Sequence, residues 1–217
     1  MADEENAQGL YIWKFKDGLE TDLTSLLYNG QSLGNTGLWA ILQWPMLNVV
    51  KLDSMLSNSR GPNNLDLSNW NLSTVKSASN LFYSYNSAVA TPGTLTHNGN
   101  YKLDSAFENA TSMFASSGFS VIDTGIITPN AKLKNIKTIF KSSKVTDLKD
   151  GYKNWNVSNV SDFTEVFAGI GVTNLDLDKW NFDKGYSFKG MLSGMTKLIA
   201  LGKNKGITHL ITENNTS

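Results

Sequence analysis

Residues 154–167 read "NWNVSNVSDFTEVF", and residues 69–82 read "NWNLSTVKSASNLF". The two phrases share more than composition. Phe167 and Phe82 each lie twelve residues after a tryptophan, Trp155 and Trp70, and the same interval joins Trp44 to Leu56 and Trp180 to Leu192. Apolar residues recur two, five and eleven positions after the tryptophan: Met46, Val49 and Met55; Leu72, Val75 and Leu81; Val157, Val160 and Val166. In the fourth copy, Phe182, Gly185 and Met191, the middle position is degraded.

Two further copies, "FENATSMF" ending at Phe114 and "LKNIKTIF" ending at Phe140, keep the second half without the tryptophan. The closing residues fall at 56, 82, 114, 140, 167 and 192, so the steps are 26, 32, 26, 27 and 25. A period in the twenties is the signature of units that cannot bury an apolar face alone and stack to share one core.

Each unit has two halves. In "LDLSNW" and "LDLDKW", Leu65 and Leu67, then Leu175 and Leu177, stand five and three residues before the tryptophan, as Trp39 and Ile41 do in "WAILQW", a period of two that predicts a short half-buried strand. After the tryptophan, Val160, Phe163, Val166 and Phe167 have helical spacing, and Asp162 and Glu165 place acidic residues where a first helical turn favours them. The expected fold is α/β: a leucine-rich-repeat-like right-handed solenoid with short parallel strands and short helices, about six coils of roughly 25 residues.

The ends are expected to be capped. Residues 1–9 read as a disordered segment, 10–35 as an N-terminal cap, 36–202 as the solenoid, 203–211 as a C-terminal cap with Ile207 and Leu210 inside, and 212–217 as a linker or tail. The long step between Phe82 and Phe114 contains "TLTHNGNYKL", where Asn98-Gly99 between alternating residues predicts a β-hairpin insertion within 83–101.

Composition narrows the function. Nineteen basic and nineteen acidic residues balance, so no global field favours nucleic acid or an anionic membrane. Without cysteine there are no disulfides, thiolate metal sites or cysteine nucleophiles. The apolar stretch "GLWAILQWPMLNVV" is interrupted by Gln43 and Pro45 and is too short to insert in a membrane as a spanning helix. The acidic, polar start "MADEENAQ" lacks the basic and apolar regions of a secretion signal, so the chain reads as an intracellular protein or as an exported domain cut from a longer precursor.

No phosphate loop, nucleophile elbow or zinc-protease motif occurs, and His97 and His209 are the only histidines, so the chain is not expected to be an enzyme or to need a cofactor. Asp176 and Asp178, with Asp183 nearby, and Asp66 with Ser68 offer oxygens suited to calcium or a ligand, although on a strand they also suit the solvent face opposite Leu65, Leu67, Leu175 and Leu177. Trp44, Trp70, Trp155 and Trp180, like Phe82, Phe114, Phe140 and Phe167, recur in register. They read as residues that pack one coil on the next rather than as sugar-stacking platforms. Tyr83, Tyr85 and Tyr101, with His97, cluster around the insertion instead of obeying the repeat, and are the candidate ligand-binding residues. The Asn-X-Ser/Thr triplets at Asn71, Asn109, Asn156 and Asn215 are nominal glycosylation acceptors but also suit tight corners.

The phrases "LDLSNWNLSTVKSASNLF", "NWNVSNVSDFTEVF" and "LDLDKWNFDKGYSFKGML" resemble the BspA-like leucine-rich-repeat surface proteins of bacteria, also described as the mycoplasma lipoprotein repeat. The resemblance covers residues from about 36 to 202, and the coils near 102 and 128 depart from it by lacking the tryptophan. It implies an exported protein of the bacterial cell surface. The implied role is adhesion to a host or matrix protein, mucin or polysaccharide; the alternative is a structural spacer or self-association domain that promotes aggregation. The resemblance transfers no catalytic residues.

Overall fold

A computed structural model describes residues 2–5, 11–13, 19–30, 42–44 and 46–202. The predicted positions Trp39, Ile41, Pro45, Ile207, His209, Leu210 and Asn215 lie outside the described residues, as does the tail 212–217.

Short strands pair in parallel with the corresponding segment of the next unit in two rows, one ahead of the tryptophan position and one after it. In the row after it, β3 (Thr21–Asp22) pairs with β4 (Val49–Lys51). β5 (Leu65–Asp66), β6 (Gly93–Thr96) and β7 (Phe119–Ile122) form a three-stranded parallel sheet, and β8 (Asn174–Leu175) pairs with β9 (Ala200–Leu201). Isolated parallel bridges extend these rows from Lys51 to Ser77, Asn109 and Asn135, and from Val121 to Asp147. Leu65, Leu67, Leu175 and Leu177 are buried while Asp66 between the first two is exposed, the alternation a one-sided sheet requires.

The second halves are not helices. Pairs of residues four apart take positive φ in every unit: Ser25 and Asn29, Ser54 and Asn58, Asn80 and Ser84, Ser112 and Ser116, Thr138 and Ser142, Glu165 and Gly169, Gly190 and Gly194. A left-handed residue at every fourth position interrupts α-helical hydrogen bonding, so the apolar stripe is realised as consecutive turns. In residues 163–170 the donors alternate between two uses. Phe163, Glu165, Phe167 and Gly169 donate to Ser187, Lys189, Met191 and Ser193 of the next unit, while Val166, Ala168 and Ile170 close turns on Phe163, Glu165 and Phe167. The backbone is thereby satisfied across units as well as within them. Asp162 and Glu165, expected at a helix start, do other work: Asp162 Oδ1 accepts from the Thr164 amide at 2.9 Å, and Glu165 pairs with Lys141 at 2.7 Å.

The same turn pair at Ser25 and Asn29 donates to Asp53 and Ser57, so the segment read as an N-terminal cap is joined to the repeats by their own ladder. Ahead of it, β1 (Ala2–Glu5) pairs antiparallel with β2 (Tyr11–Trp13). The first residues, expected to be disordered, thus contain a strand, for which the strand formers Tyr11, Ile12 and Trp13 supply the partner.

The predicted hairpin is absent. Leu95 aligns in parallel with Leu65 and with Ile122, and Leu103 with Ile127, so the two arms pair with neighbouring units rather than with each other. Neither Asn98 nor Gly99 takes the positive φ a two-residue hairpin demands. Much of the extra length lies in loop 87–92 instead, where the Val89 carbonyl accepts from Lys144 Nζ at 2.6 Å.

One continuous core results. Trp44, Trp70, Trp155 and Trp180 are buried within it, and Phe82, Phe114, Phe140 and Phe167 stack as a file with centroids 5.7–5.8 Å apart. Trp155 and Trp180 stack at 6.1 Å, and their indole nitrogens donate to the carbonyls of Thr124 and Tyr152 at 3.1 and 2.8 Å.

Candidate functional site

The corners between strand and turn explain the recurring Asn and Asp. Asn71 Oδ1 accepts from the Ser73 amide and hydroxyl, Asn109 Oδ1 from those of Thr111, and Asn156 Oδ1 from those of Ser158. Asp66 does the same for Ser68, and Asp176 accepts from the Asp178 amide at 3.2 Å. These side chains close local turns in which a carboxylate or amide oxygen substitutes for a backbone acceptor. Ser68 Oγ also accepts from the Asn98 amide, which ties that corner to the next unit.

Two of the candidate ligand residues point inward. The Tyr85 ring is fully buried against Phe82 and Phe119, its hydroxyl donates to the Pro62 carbonyl at 2.9 Å, and burial pushes its ionisation above the ordinary tyrosine range. His97 takes the place in the strand row that Leu67 holds one unit earlier; it is buried, with Nε2 3.2 Å from the Trp70 carbonyl and no partner for Nδ1. Neither ring is available to a macromolecule. Tyr83 and Tyr101 are exposed, at 38% and 60% of their surface.

Asp176 and Asp178 meet residues that composition and motif did not single out. A groove of about 490 Å³ opens between the strand rows around residues 147 and 201, lined by Asp147, Lys149, Asp150, Lys153, Asp176 and Asp178 over Leu148, Leu175 and Leu201. Lys149 bonds Asp147 at 2.6 Å, and Lys153 reaches Asp150 at 2.9 Å and Asp176 at 3.8 Å. The Lys149 bond holds the Asp147 carboxyl below its usual range, and Lys149 and Lys153 are raised, chiefly by their bonds to Asp147 and Asp150. The Asp176 amide donates to the Tyr152 hydroxyl at 3.0 Å, and burial foremost raises that phenol. The groove therefore offers paired charges of both signs over an apolar floor of Leu148, Leu175 and Leu201, an arrangement for polar recognition rather than proton transfer. Counting eight residues past Phe140 and Phe167 reaches Leu148 and Leu175, so the register alone places Lys149 beside Asp176.

A second hollow of about 260 Å³ lies on the turn side, lined by Asn29, Asn58, Ser59, Arg60, Ser84 and Ser87. Among the described residues no group of three or more His, Cys, Asp or Glu is placed to hold a metal ion, and no helix is long and apolar enough to cross a membrane.

No curated protein and no solved structure matches the chain. A repeat family matches it twice, over residues 4–121 and 101–205, so nearly the whole described ladder of turns and strands falls within the two matches. On that coverage the chain belongs to the family described as Mycoplasma protein of unknown function, DUF285.

Proposed function

We propose that this chain is a non-catalytic adhesion module of a bacterial cell surface, built as a leucine-rich-repeat-like solenoid of the BspA-like kind, which binds a host, matrix or cell-surface macromolecule. One observation carries the reading: the residues that define the repeat are spent on the core and on the ladder, while the side chains free to differ between units face outward. Trp155, Val157, Val160, Phe163, Val166 and Phe167 are all buried, and Asn156 closes its own corner. The mixed-charge groove at 147–202 gathers such side chains in one hollow of about 490 Å³. An open groove lined by charged groups of both signs suits a protein or polysaccharide partner better than a small substrate.

The test is a panel of mucin, matrix proteins, polysaccharides and whole cells, with Lys149→Glu/Lys153→Glu as the comparison variant. Binding by the native chain that falls about tenfold or more in the variant, with the thermal midpoint nearly unchanged, supports the reading. Undiminished adhesion by the variant removes the groove from it, and an inert native chain removes the adhesive role.

A second reading, self-association, draws on the exposure of Tyr186 at 77% and of Ile199, beside the last described strand, at 85%. Sedimentation that shifts with protein concentration, alongside a silent panel, favours it.

A further inference from the structure

The turn side of the first three units carries side chains the fold does not require. The residue following each closing position of the repeat is Tyr28, Ser57 or Tyr83 in these units, and Ala115, Lys141, Ala168 or Ser193 later. Beside it stand Asn29, Asn58 and Ser84, where later units have Ser116, Ser142, Gly169 and Gly194. All of these backbones take the same left-handed turn, so tyrosine and asparagine are not demanded by the ladder.

Asn29, Asn58 and Ser84 line a hollow around an unpaired charge. Arg60 is the chain's only arginine, and it makes no ion pair among the described residues. Lysines elsewhere on the surface do pair between units: Lys51 with Asp22, Lys134 with Glu108, Lys137 with Asp162 and Lys141 with Glu165. No acidic residue lines the hollow at Arg60. Asn58 Nδ2 donates to the Tyr28 hydroxyl at 3.3 Å, which leaves Asn58 Oδ1, the side-chain carboxamide of Asn29 and the Ser84 and Ser87 hydroxyls without internal partners among the described residues. Ser59 is different: its hydroxyl donates to the Leu27 carbonyl at 2.7 Å and so fixes the floor.

We propose that this hollow binds an acidic sugar, a pyranose bearing a carboxylate or sulfate. The guanidinium supplies a planar fork for the anion. The amides and hydroxyls match the donors and acceptors of a sugar ring. Tyr28, half exposed, accepts from the lining Asn58, and Tyr83, 38% exposed, directly precedes the lining Ser84; separated by the small Ser57, the two stand about 9.6 Å apart by strand spacing and add aromatic surface beside the hollow. The site rests on the adhesion reading and gives it a ligand class.

Calorimetric titration of the full chain tests it with three probes: a hyaluronan oligosaccharide bearing carboxylate alone, a chondroitin sulfate oligosaccharide bearing carboxylate and sulfate, and a fully N-acetylated chito-oligosaccharide as the neutral sugar. Binding of either acidic probe at least about tenfold tighter than the neutral one is expected, and the difference between the acidic probes tells whether sulfate adds to what the carboxylate supplies. Arg60→Ala is expected to weaken that binding about tenfold or more and Arg60→Lys less, because the ammonium lacks the fork. Tyr83→Ala is expected to weaken it about fivefold or more. Lys132→Ala, an exposed lysine outside the hollow, is expected to change nothing. Arg60 and Tyr83 are exposed, and matching thermal midpoints show that the variants are folded. Equal affinity for neutral and acidic probes, full binding by folded Arg60→Ala and Tyr83→Ala, or an equal loss in Lys132→Ala overturns the site. If the chain binds mucin or matrix protein but none of the sugars, the site falls and the adhesion reading stands; silence in both assays overturns both.

Discussion

Phe140 sits in the middle of the aromatic file, and replacing it with alanine tests whether the units are held together by stacking. Its ring is fully buried, 5.7 Å from Phe114 on one side and 5.8 Å from Phe167 on the other, with Trp155 at 6.0 Å. Truncating a buried phenylalanine typically costs about 3–5 kcal/mol through lost transfer energy and the cavity left behind. The ring planes meet at 6° to Phe114 and 16° to Phe167, offset arrangements worth roughly 0.5–1.5 kcal/mol each beyond burial. A loss of at least about 4 kcal/mol is therefore expected. For a chain of this length it lowers the thermal midpoint by about 8–16 °C. Urea unfolding followed by far-ultraviolet circular dichroism and by tryptophan fluorescence is the assay. Phe140 couples units on both sides, so the variant is also expected to show two separated transitions where the native chain shows one. A single transition displaced by less than about 1 kcal/mol would refute the claim that the file joins the units.

Gly151→Ala is expected to cost about 3 kcal/mol or more in the same assay, because a Cβ there would overlap the Gly125 amide nitrogen and the Thr124 carbonyl carbon of the preceding unit. Ser54→Gly acts in the opposite direction: Ser54 holds φ at 56°, so relief of left-handed strain less the entropy of glycine should stabilise by up to about 1 kcal/mol, whereas Ser54→Val should destabilise. Acid should weaken the fold. Asp22 is lowered mainly by its bond from Thr24, Asp147 by its bond from Lys149, and Asp162 by Thr164 and Lys137 acting together against burial. A folded value below the unfolded one means stabilisation that is complete above about pH 4 and is lost as pH falls through the folded values, so the midpoint should hold from pH 7 to 5 and decline below about 4. A midpoint that rises on acidification contradicts that sign.

The period was readable because packing imposes it: a tryptophan and four apolar positions cannot drift without leaving the core. The conformation of the second half was harder to read. Val160, Phe163, Val166 and Phe167 satisfy a helical count, yet the residues two before and two after Phe167 are Glu165 and Gly169, both left-handed. The equivalent places around Phe82 hold Asn80 and Ser84, and around Leu56 hold Ser54 and Asn58. That enrichment in Asn, Ser and Gly was the available sign of turns, and Thr138 and Glu165 obscure it. Asn98-Gly99 misled for another reason. A hairpin dipeptide expresses a local preference, and here parallel pairing of Leu95 with Leu65 and Ile122 prevailed over it. The groove escaped notice because Lys149 and Asp176 become neighbours only once the units are set in register, and Arg60 because no motif contains it.

The alternating donors of the turn ladder have an evolutionary consequence. Phe140 donates to Val166, and Phe167 to Met191, through backbone atoms that any in-phase unit possesses. A duplication or deletion of one whole period leaves every remaining amide facing an equivalent carbonyl, whereas a change of one or two residues within a turn shifts the whole ladder out of phase. Length is thus a freely inherited variable in this architecture, adjustable in steps of about 4.8 Å along the stack. The reach of such a protein can evolve by copying its gene in whole periods, without renegotiating its core.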